Sequence, residues 1–311
     1  TTGGKKGNIP YGTLTSISES PFQFGFIYTG SDDGYVNVTT NGGGSWVRIS
    51  DNLPQNLWVS RVIASQHEKE RVYVALNGYR SDDFKPYIFV SENMGKTWES
   101  LNANLPNYPI NVVKEDPEDE NMLYLGTDNE AYVSFDKGKN WQLFSNGIPK
   151  VAVHDLIVQA NAKDLVIGTH GRSIYKANIT SLQQFNKIKD KNLAIFEIPT
   201  IRYSSRWGSS WGKWYDVNLP SVTIPFYAAN DGSFKVIIST EDTTELNQFA
   251  IKAEKGFNYF EYDVSVVDKK AITALTKKEA SYKKAKNGVY YLPKGTYFVK
   301  IGEEKQSFEV K

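Results

Sequence analysis

The sequence predicts an all-β protein, made of β-propeller blades followed by a second β domain. Three observations predict it. An eight-residue pattern, Ser-x-Asn-x-Gly-x-Thr-Trp, stands at residues 91–98, returns with Asp in third place at 134–141, and has a looser copy at 39–46. Short runs rich in β-branched and aromatic residues alternate with Gly, Asn-Gly and Asp-Gly turns. Aromatic residues make up 14% of the chain, with 19 Tyr and 7 Trp, which suits pleated, half-buried strands. A pattern repeated at such intervals marks stacked supersecondary units.

Taken in order, the first unit holds apolar runs at 13–18, 26–29, 35–38 and 46–49. The second holds them at 59–64, 71–75, 87–90 and 97–100, and the third at 110–113, 122–125, 131–134 and 140–143. The fourth has runs at 153–158, 164–168 and 173–176 and lacks an outermost one. Four antiparallel strands per repeat make a propeller blade, so residues 12–180 are expected to form four Asp-box β-propeller blades. The recurring octet, known as the Asp-box or BNR repeat, falls in the turn between third and fourth strands. There the side chain of Asn41, Asn93 or Asp136 can bond amides of its own turn. Gly43, Gly95 and Gly138 are expected at positive φ. Trp46, Trp98 and Trp141 are expected to pack on the neighbouring sheet, each burial worth ~2–3 kcal/mol. These residues are assigned to structure rather than chemistry.

Four blades leave two open edges, which invite pairing with other chain. The expectation is therefore part of a larger propeller. Its remaining blades would come from an N-terminal segment or a separate chain. Residues 1–11, rich in Gly and Lys, read as a surface loop, and 181–219 as a Trp-rich connector with one strand near 193–199. Trp207, Trp211 and Trp214 in the connector suit either a stacking platform for a glycan or partner, or a seal between the two domains. Runs at 222–226, 234–238, 249–251, 258–264, 295–301 and 307–310 predict an immunoglobulin-like β-sandwich over 220–311. The Lys-rich stretch 275–286 reads as an excursion or a single helical turn.

Charge and composition exclude several classes. Lys plus Arg is 36 against 35 Asp plus Glu, a net charge of +1, which argues against a nucleic-acid ligand. With no Cys there is no disulfide, thiol nucleophile or thiolate metal site. No apolar run is long enough for a membrane span, and residues 1–7 carry no apolar signal core, so an export signal would lie outside this chain.

Alternating strand direction puts the octets at one end of each blade. The turns between second and third strands, and the entries to each inner strand, lie at the other. That second end carries Asp32 and Asp33, then Arg80, Asp82 and Asp83, then Asp128, then His170 and Arg172. Arg61, His154 and Asp155 enter beside them. These positions are equivalent in successive blades and should converge on a central channel. Asp32 and Asp128 could serve as acid and base of an inverting glycosidase if held ~6.5–9.5 Å apart. His154, Asp155 and His170 could ligate a metal. Against both stands a plainer reading of ordinary hairpin residues, with Arg61 and Arg172 paired to carboxylates. That reading is preferred for each residue, and no metal or cofactor is expected. A sialidase would need an arginine triad, for which Arg61, Arg80 and Arg172 are available, and a Tyr–Glu pair, which no spacing singles out.

The chain resembles the bacterial sortilin-like BNR-repeat proteins often labelled glycosyl hydrolases. The residues that carry the likeness are 58–62, 74–84, 124–128, 153–156 and Gly168-Thr169-His170-Gly171-Arg172-Ser173-Ile174-Tyr175. In the tail they are 255–263 and 292–297, similar to the immunoglobulin-like domain of the flagellar hook-capping protein. The resemblance implies a propeller with a sandwich tail far more than it implies an activity. The function expected from it is an exported cell-envelope binding or scaffold protein, its propeller face meeting a protein or glycan. Its expected location is the periplasm, the outer-membrane surface or the extracellular space. A glycoside hydrolase is the alternative. Residues 292–301 also resemble the C-terminal sorting domains of type IX secretion in Bacteroidetes.

Overall fold

The computed structural model describes residues 12–278 and 282–311; the loop expected over 1–11 lies outside the described residues. The chain divides into two compact units, one ending at Ile179 and the other spanning Thr180–Lys311.

The first unit is a series of antiparallel sheets in which each strand pairs with the next. The first sheet is β1 (Leu14–Glu19), β2 (Ile27–Ser31), β3 (Val36–Thr39) and β4 (Val47–Arg48). The second is β5 (Trp58–Ala64), β6 (Val72–Gly78), β7 (Asp83–Ser91) and β8 (Glu99–Ser100). The third is β9 (Ile110–Glu115), β10 (Leu123–Thr127), β11 (Ala131–Ser134) and β12 (Gln142–Leu143). The fourth has three strands, β13 (Val153–Gln159), β14 (Asp164–Thr169) and β15 (Ile174–Asn178). Each inner strand packs on the sheet before it, because its apolar residues on that side have nowhere else to leave water. Val59, Val62, Val72, Val74 and Leu76 share one core with Tyr28, Val36 and Val38 of the first sheet. Ile63, Tyr73 and Ala75 share the next with Val113, Leu123 and Leu125. Hydroxyls stitch the same seams: Thr15 donates to the Val59 carbonyl and Ser60 to the Ile110 carbonyl, both at 2.7 Å. Gly126 is required by this packing, since a Cβ there would stand 2.6 Å from Val153 Cγ1.

The octet turns share one geometry. Ser91 Oγ accepts from the amides of Asn93 and Gly95, and Asn93 Oδ1 accepts from the Thr97 amide at 2.9 Å. Ser134 and Asp136 repeat this, with Asn140 N to Asp136 Oδ1 at 2.8 Å, as do Thr39 and Asn41. The turn needs two consecutive residues at positive φ, not the one expected. Gly42, Met94 and Lys137 precede Gly43, Gly95 and Gly138 at φ 69°, 57° and 60°. Trp98 Nε1 donates to the Ile49 carbonyl at 2.9 Å and Trp141 Nε1 to the Leu101 carbonyl at 2.7 Å, so each indole locks its sheet to the preceding one.

The same end holds a buried ionic network that local sequence patterns do not reveal. The Glu115 carboxylate is shielded from solvent and accepts from Ser65 Oγ, the Gln66 amide and Tyr73 OH, with Arg71 at 3.7 Å. Arg71 also meets Glu92 at 2.9 Å and Glu120 at 3.5 Å, and Glu120 meets Lys137 at 2.8 Å. Burial works against the Arg71 charge, yet the bond to Glu92 and the field of its carboxylates hold its pKa above the ordinary value. Burial, followed by Glu115, pushes the Tyr73 phenol up.

In the second unit, α1 (Thr180–Gln183) and α2 (Phe185–Ile188) precede β16 (Leu193–Ile195). The strand expected near 193–199 is thus present in shorter form and belongs to a sheet of this unit, for β16 pairs with β17 (Val222–Ala228), which pairs with β20 (Gly256–Tyr262). A second sheet runs β19 (Glu245–Ala253), β18 (Gly232–Thr240), β23 (Gly295–Ile301) and β24 (Glu304–Val310), and β21 (Ser265–Val266) pairs with β22 (Tyr290–Tyr291). Both larger sheets turn apolar residues into one core, including Ile224 and Phe226 from one and Val236, Ile238, Val299 and Phe308 from the other. The helix α3 (Lys269–Lys278) is longer than the single turn expected and starts earlier. Its start is set by Asp268, whose Oδ1 accepts from the Ala271 amide at 2.8 Å, an N-cap. The rest of the Lys-rich stretch crosses residues 279–281, outside the described residues.

Candidate functional site

The site is built at the sheet ends opposite the octet turns, and strand register assembles it. Leu14, Val59, Ile110 and Val153 occupy the same register, facing Ser31, Leu76, Thr127 and Thr169. All four inner strands then bulge by one residue. A bulge sends two successive side chains out where one is paired, and re-aims them. The bulged positions are Thr15–Ser16, Ser60–Arg61, Asn111–Val112 and His154–Asp155. The first sheet spends both on its neighbour, through Thr15 and the Ser16 hydroxyl that accepts from the Val62 amide. The second sheet places the charge of Arg61 there, and the fourth the imidazole of His154 and the charge of Asp155.

Arg61 Nη2 meets Asp155 Oδ1 at 2.8 Å, joining the second sheet to the fourth, because apolar Val112 at the same register of the third offers no charge. Asp155 Oδ1 also accepts from the Leu156 amide. Arg61 Nε is buried and has no hydrogen-bond partner among the described residues. Three residues earlier on β5, Trp58 carries the Arg80 guanidinium over its ring at 5.0 Å, and its Nε1 is likewise buried and unpartnered. His154 and His170 stand ring to ring at 5.4 Å, both exposed. They and Asp155 do not form a ligand set: no group of three or more His, Asp or Glu that could hold a metal occurs among the described residues.

The two candidate catalytic carboxylates are each held by local bonds. Asp32 Oδ1 accepts from the amides of Gly12 and Thr13 at 2.7 and 2.8 Å, tying the entry of β1 to the β2–β3 turn. Asp128 Oδ1 accepts from Asn111 at 2.8 Å, and Asn111 in turn accepts from Asn77 at 3.0 Å, a polar chain from the second sheet to the third. Asp33 accepts from the Ser31 hydroxyl. Asp82 is exposed and sits at φ 57° closing the short 3₁₀ turn Tyr79–Ser81. Asp83 accepts from Tyr87 OH at 2.7 Å, which holds its carboxyl below the ordinary value, while burial and Asp83 push Tyr87 up to about 12. Arg80 and Arg172 are exposed. Four residues sequence reasoning did not single out also belong here: Asn77 and Asn111, and the exposed pair Tyr79 and Phe84, packed edge to face at 6.2 Å. Aromatic side chains flanking Arg80 on a loop were the available signal for the latter two.

In the second unit the three connector tryptophans part company. Trp207 is core, edge-on to Tyr203 at 5.1 Å and to Tyr291 at 6.0 Å, so it is not open for stacking. Trp211 and Trp214 are exposed, with Arg206 4.1 Å over one ring and Lys213 5.5 Å over the other.

No helix among the described residues is long and apolar enough to cross a membrane. No curated protein matches the chain. Solved structures similar to it include an ancestral GH74 enzyme, at 15% identity and TM-score 0.44 over 85% of this chain and 34% of that one. The GH74 xyloglucanase from Xanthomonas campestris is similar at 11% identity and TM-score 0.44, over 95% of this chain and 47% of that one. The extracellular domain of a hybrid two-component system from B. thetaiotaomicron is similar at 13% identity and TM-score 0.42, over 96% and 38%. The chain thus spans less than half the length of each of these. The family model Sortilin-Vps10, described as sortilin, neurotensin receptor 3, matches residues 34–282, and with most of its length inside that match the chain belongs to the Sortilin-Vps10 family.

Proposed function

We propose that this chain is part of an exported binding or scaffold protein of the cell envelope, working in the periplasm, on the outer-membrane surface or outside the cell. In this reading its four meander sheets are blades of a larger propeller. The second unit is an immunoglobulin-like sandwich that acts as spacer or docking module. The propeller end carrying Arg61 and Asp155 meets a protein partner. One observation carries the choice of a binding surface: Tyr79, in the turn whose Arg80 covers Trp58, and Phe84, at the start of β7, are both exposed and packed edge to face. Aromatic and arginine side chains concentrate binding energy at protein interfaces.

The rival reading is hydrolysis of a polysaccharide through Asp32 and Asp128, each of which has its Oδ1 engaged in local bonds. The test compares capture of a saturable partner by the wild-type chain and by a Tyr79→Ala/Phe84→Ala double variant, alongside a glycan panel. Loss of capture with unchanged melting supports the binding face. Turnover of a glycan that disappears in Asp128→Asn, without loss of folding, overturns it.

A further inference from the structure

The second unit holds a cleft of about 560 Å³ between two stretches of its chain, residues 203–209 and 282–293. Backbone bonds fix both walls. Tyr203 N donates to the Lys311 carbonyl at 2.6 Å, which lays the first stretch along the end of β24. The second turns back on itself, with Ala285 N donating to the Val289 carbonyl at 2.9 Å, and leads into β22. The walls meet at Gly208, where a Cβ would stand 2.4 Å from Asn287 Oδ1 and 2.8 Å from Ala285 Cβ, so only glycine lets them close. Buried Trp207, edge-on to Tyr291 at 6.0 Å, ties the same walls together.

The charge around this cleft is one-sided. Lys283, Lys284 and Lys286 border it, with the hydroxyls of Ser204 and Ser205 and the ring of Tyr203, and no carboxylate does so among the described residues. Three other clefts are each bordered by two acids: Glu241 and Asp242, Glu19 and Glu115, Glu197 and Glu309. The asymmetry extends along the sequence. Residues 202–215 carry Arg202, Arg206 and Lys213, residues 282–294 carry four lysines, and neither stretch contains Asp or Glu, in a chain of net charge +1. None of the three bordering lysines forms an ion pair among the described residues. Flat aromatic surface is open beside this charge. Tyr203 is exposed, as are Trp211 and Trp214 on the same segment, and Arg206, between Ser205 and Trp207 of the wall, lies 4.1 Å over the Trp211 ring.

We propose that this cleft binds an acidic saccharide, a sugar ring bearing carboxylate or sulfate. Its volume suits a small ligand unit rather than a broad protein surface. The Tyr203 ring stacks on the apolar C–H face of the sugar, the serine hydroxyls pair with its hydroxyl groups, and the lysines meet its negative charge. A lysine ammonium is a point charge without the planar fork of arginine, so it serves a carboxylate or a sulfate alike. The site lies wholly within the second unit and does not depend on the propeller reading.

Isothermal titration calorimetry of the 311-residue chain tests this. The probes are hexagalacturonate for the carboxylate source, a heparin-derived hexasaccharide for the sulfate source, neutral cellohexaose, and hexaglutamate and hexathymidylate as acidic chains of other kinds. One of the two acidic saccharides is expected to bind saturably, about tenfold or more tighter than cellohexaose, and less tightly as salt is raised. Replacing the exposed lysines together, Lys283→Gln/Lys284→Gln/Lys286→Gln, should cost about tenfold or more of that affinity with unchanged melting. Tyr203→Ala should weaken binding and Tyr203→Phe, which keeps the ring, should retain it; if Tyr203→Ala does not fold, the lysine variant decides. Three outcomes overturn the proposal: no saturable binding of either acidic saccharide, equal binding of cellohexaose, hexaglutamate or hexathymidylate, or undiminished binding by the lysine variant. Capture through Tyr79 and Phe84 is read separately, so failure of either reading leaves the other standing.

Discussion

The two ends of the sheets obey different rules. At the octet end three turns with different sequences converge on one set of bonds: hydroxyl to two amides, Asn or Asp to a third, and indole to the neighbouring sheet where one is present. At the other end four bulges of one geometry carry four different pairs of side chains. The first end is a repeat in which identity serves stability. The second uses a repeated backbone device to present residues that do not repeat. On the proposed reading, departures from the repeat, rather than the repeat, form the binding face.

Mutations can break that contrast or sharpen it. The largest loss is expected at the octet end from Glu115→Ala, which strands Ser65, Gln66, Tyr73 and part of the Arg71 charge in a buried site. It should lower stability by about 3–5 kcal/mol, read from urea unfolding of the first unit. Trp98→Ala follows at about 2–3 kcal/mol, whereas Trp46→Ala in the 311-residue chain costs under about 1 kcal/mol, because its indole is open there. Equal losses at both positions would erase the distinction between packed and open sheets. At the other end, Arg61→Ala or Asp155→Ala should change stability by no more than about 1 kcal/mol, since the pair is partly exposed, yet abolish partner capture. A collapse in stability there would make the bulged residues structural.

The smallest effect is one of pH. Burial alone would raise the Asp136 carboxyl, but bonds from Asn140, Ser134 and the turn amides overcome it and hold the folded value below the ordinary one. The unfolded chain therefore binds the proton first as pH falls. The stabilisation is complete above the unfolded pKa of about 3.9 and is lost as pH drops through the lower folded value. Hydrogen exchange at Gly138 and Asn140 should quicken over that acid range, stay flat in Asp136→Asn, and stay flat at Gly95, where Asn93 cannot titrate.

Much of the fold was legible because its signals are local. Alternation, turn dipeptides and the octet each act within ten residues, so the strand runs of the first unit fell where the sheets lie, including the missing outer strand of the fourth. What was not legible depends on distance or register. The bulges leave no local mark, yet they decide which of Arg61 or Val62 faces the site. Glu115 reads as an ordinary charge at the end of a strand until Ser65, Gln66 and Arg71 arrive from the sheet before. In the second unit, Trp207 looked like its exposed neighbours Trp211 and Trp214 because only the tertiary fold brings Tyr203 and Tyr291 against it. Asp268 as a helix cap is a local signal, three residues before the amide it accepts from at Ala271. For the site, Arg61, Asp155, His154 and His170 do come together. Asp32 and Asp128 are where the turn pattern put them, engaged in bonds of their own.

Arg61 and Asp155 are 94 positions apart in the chain, with a complete sheet between them. Nearly every other bond in the first unit joins a sheet to itself or to its immediate neighbour, so the array can assemble outward from any seam, as stacked repeats do. This ion pair cannot. It forms only after the second, third and fourth sheets have all docked at the correct angle to one another, and it should be absent from the folding transition state, with substitutions there altering the unfolding rate and sparing the folding rate. On the proposed reading, the pair at the centre of the binding face is thus also the last to report that the surface is ready.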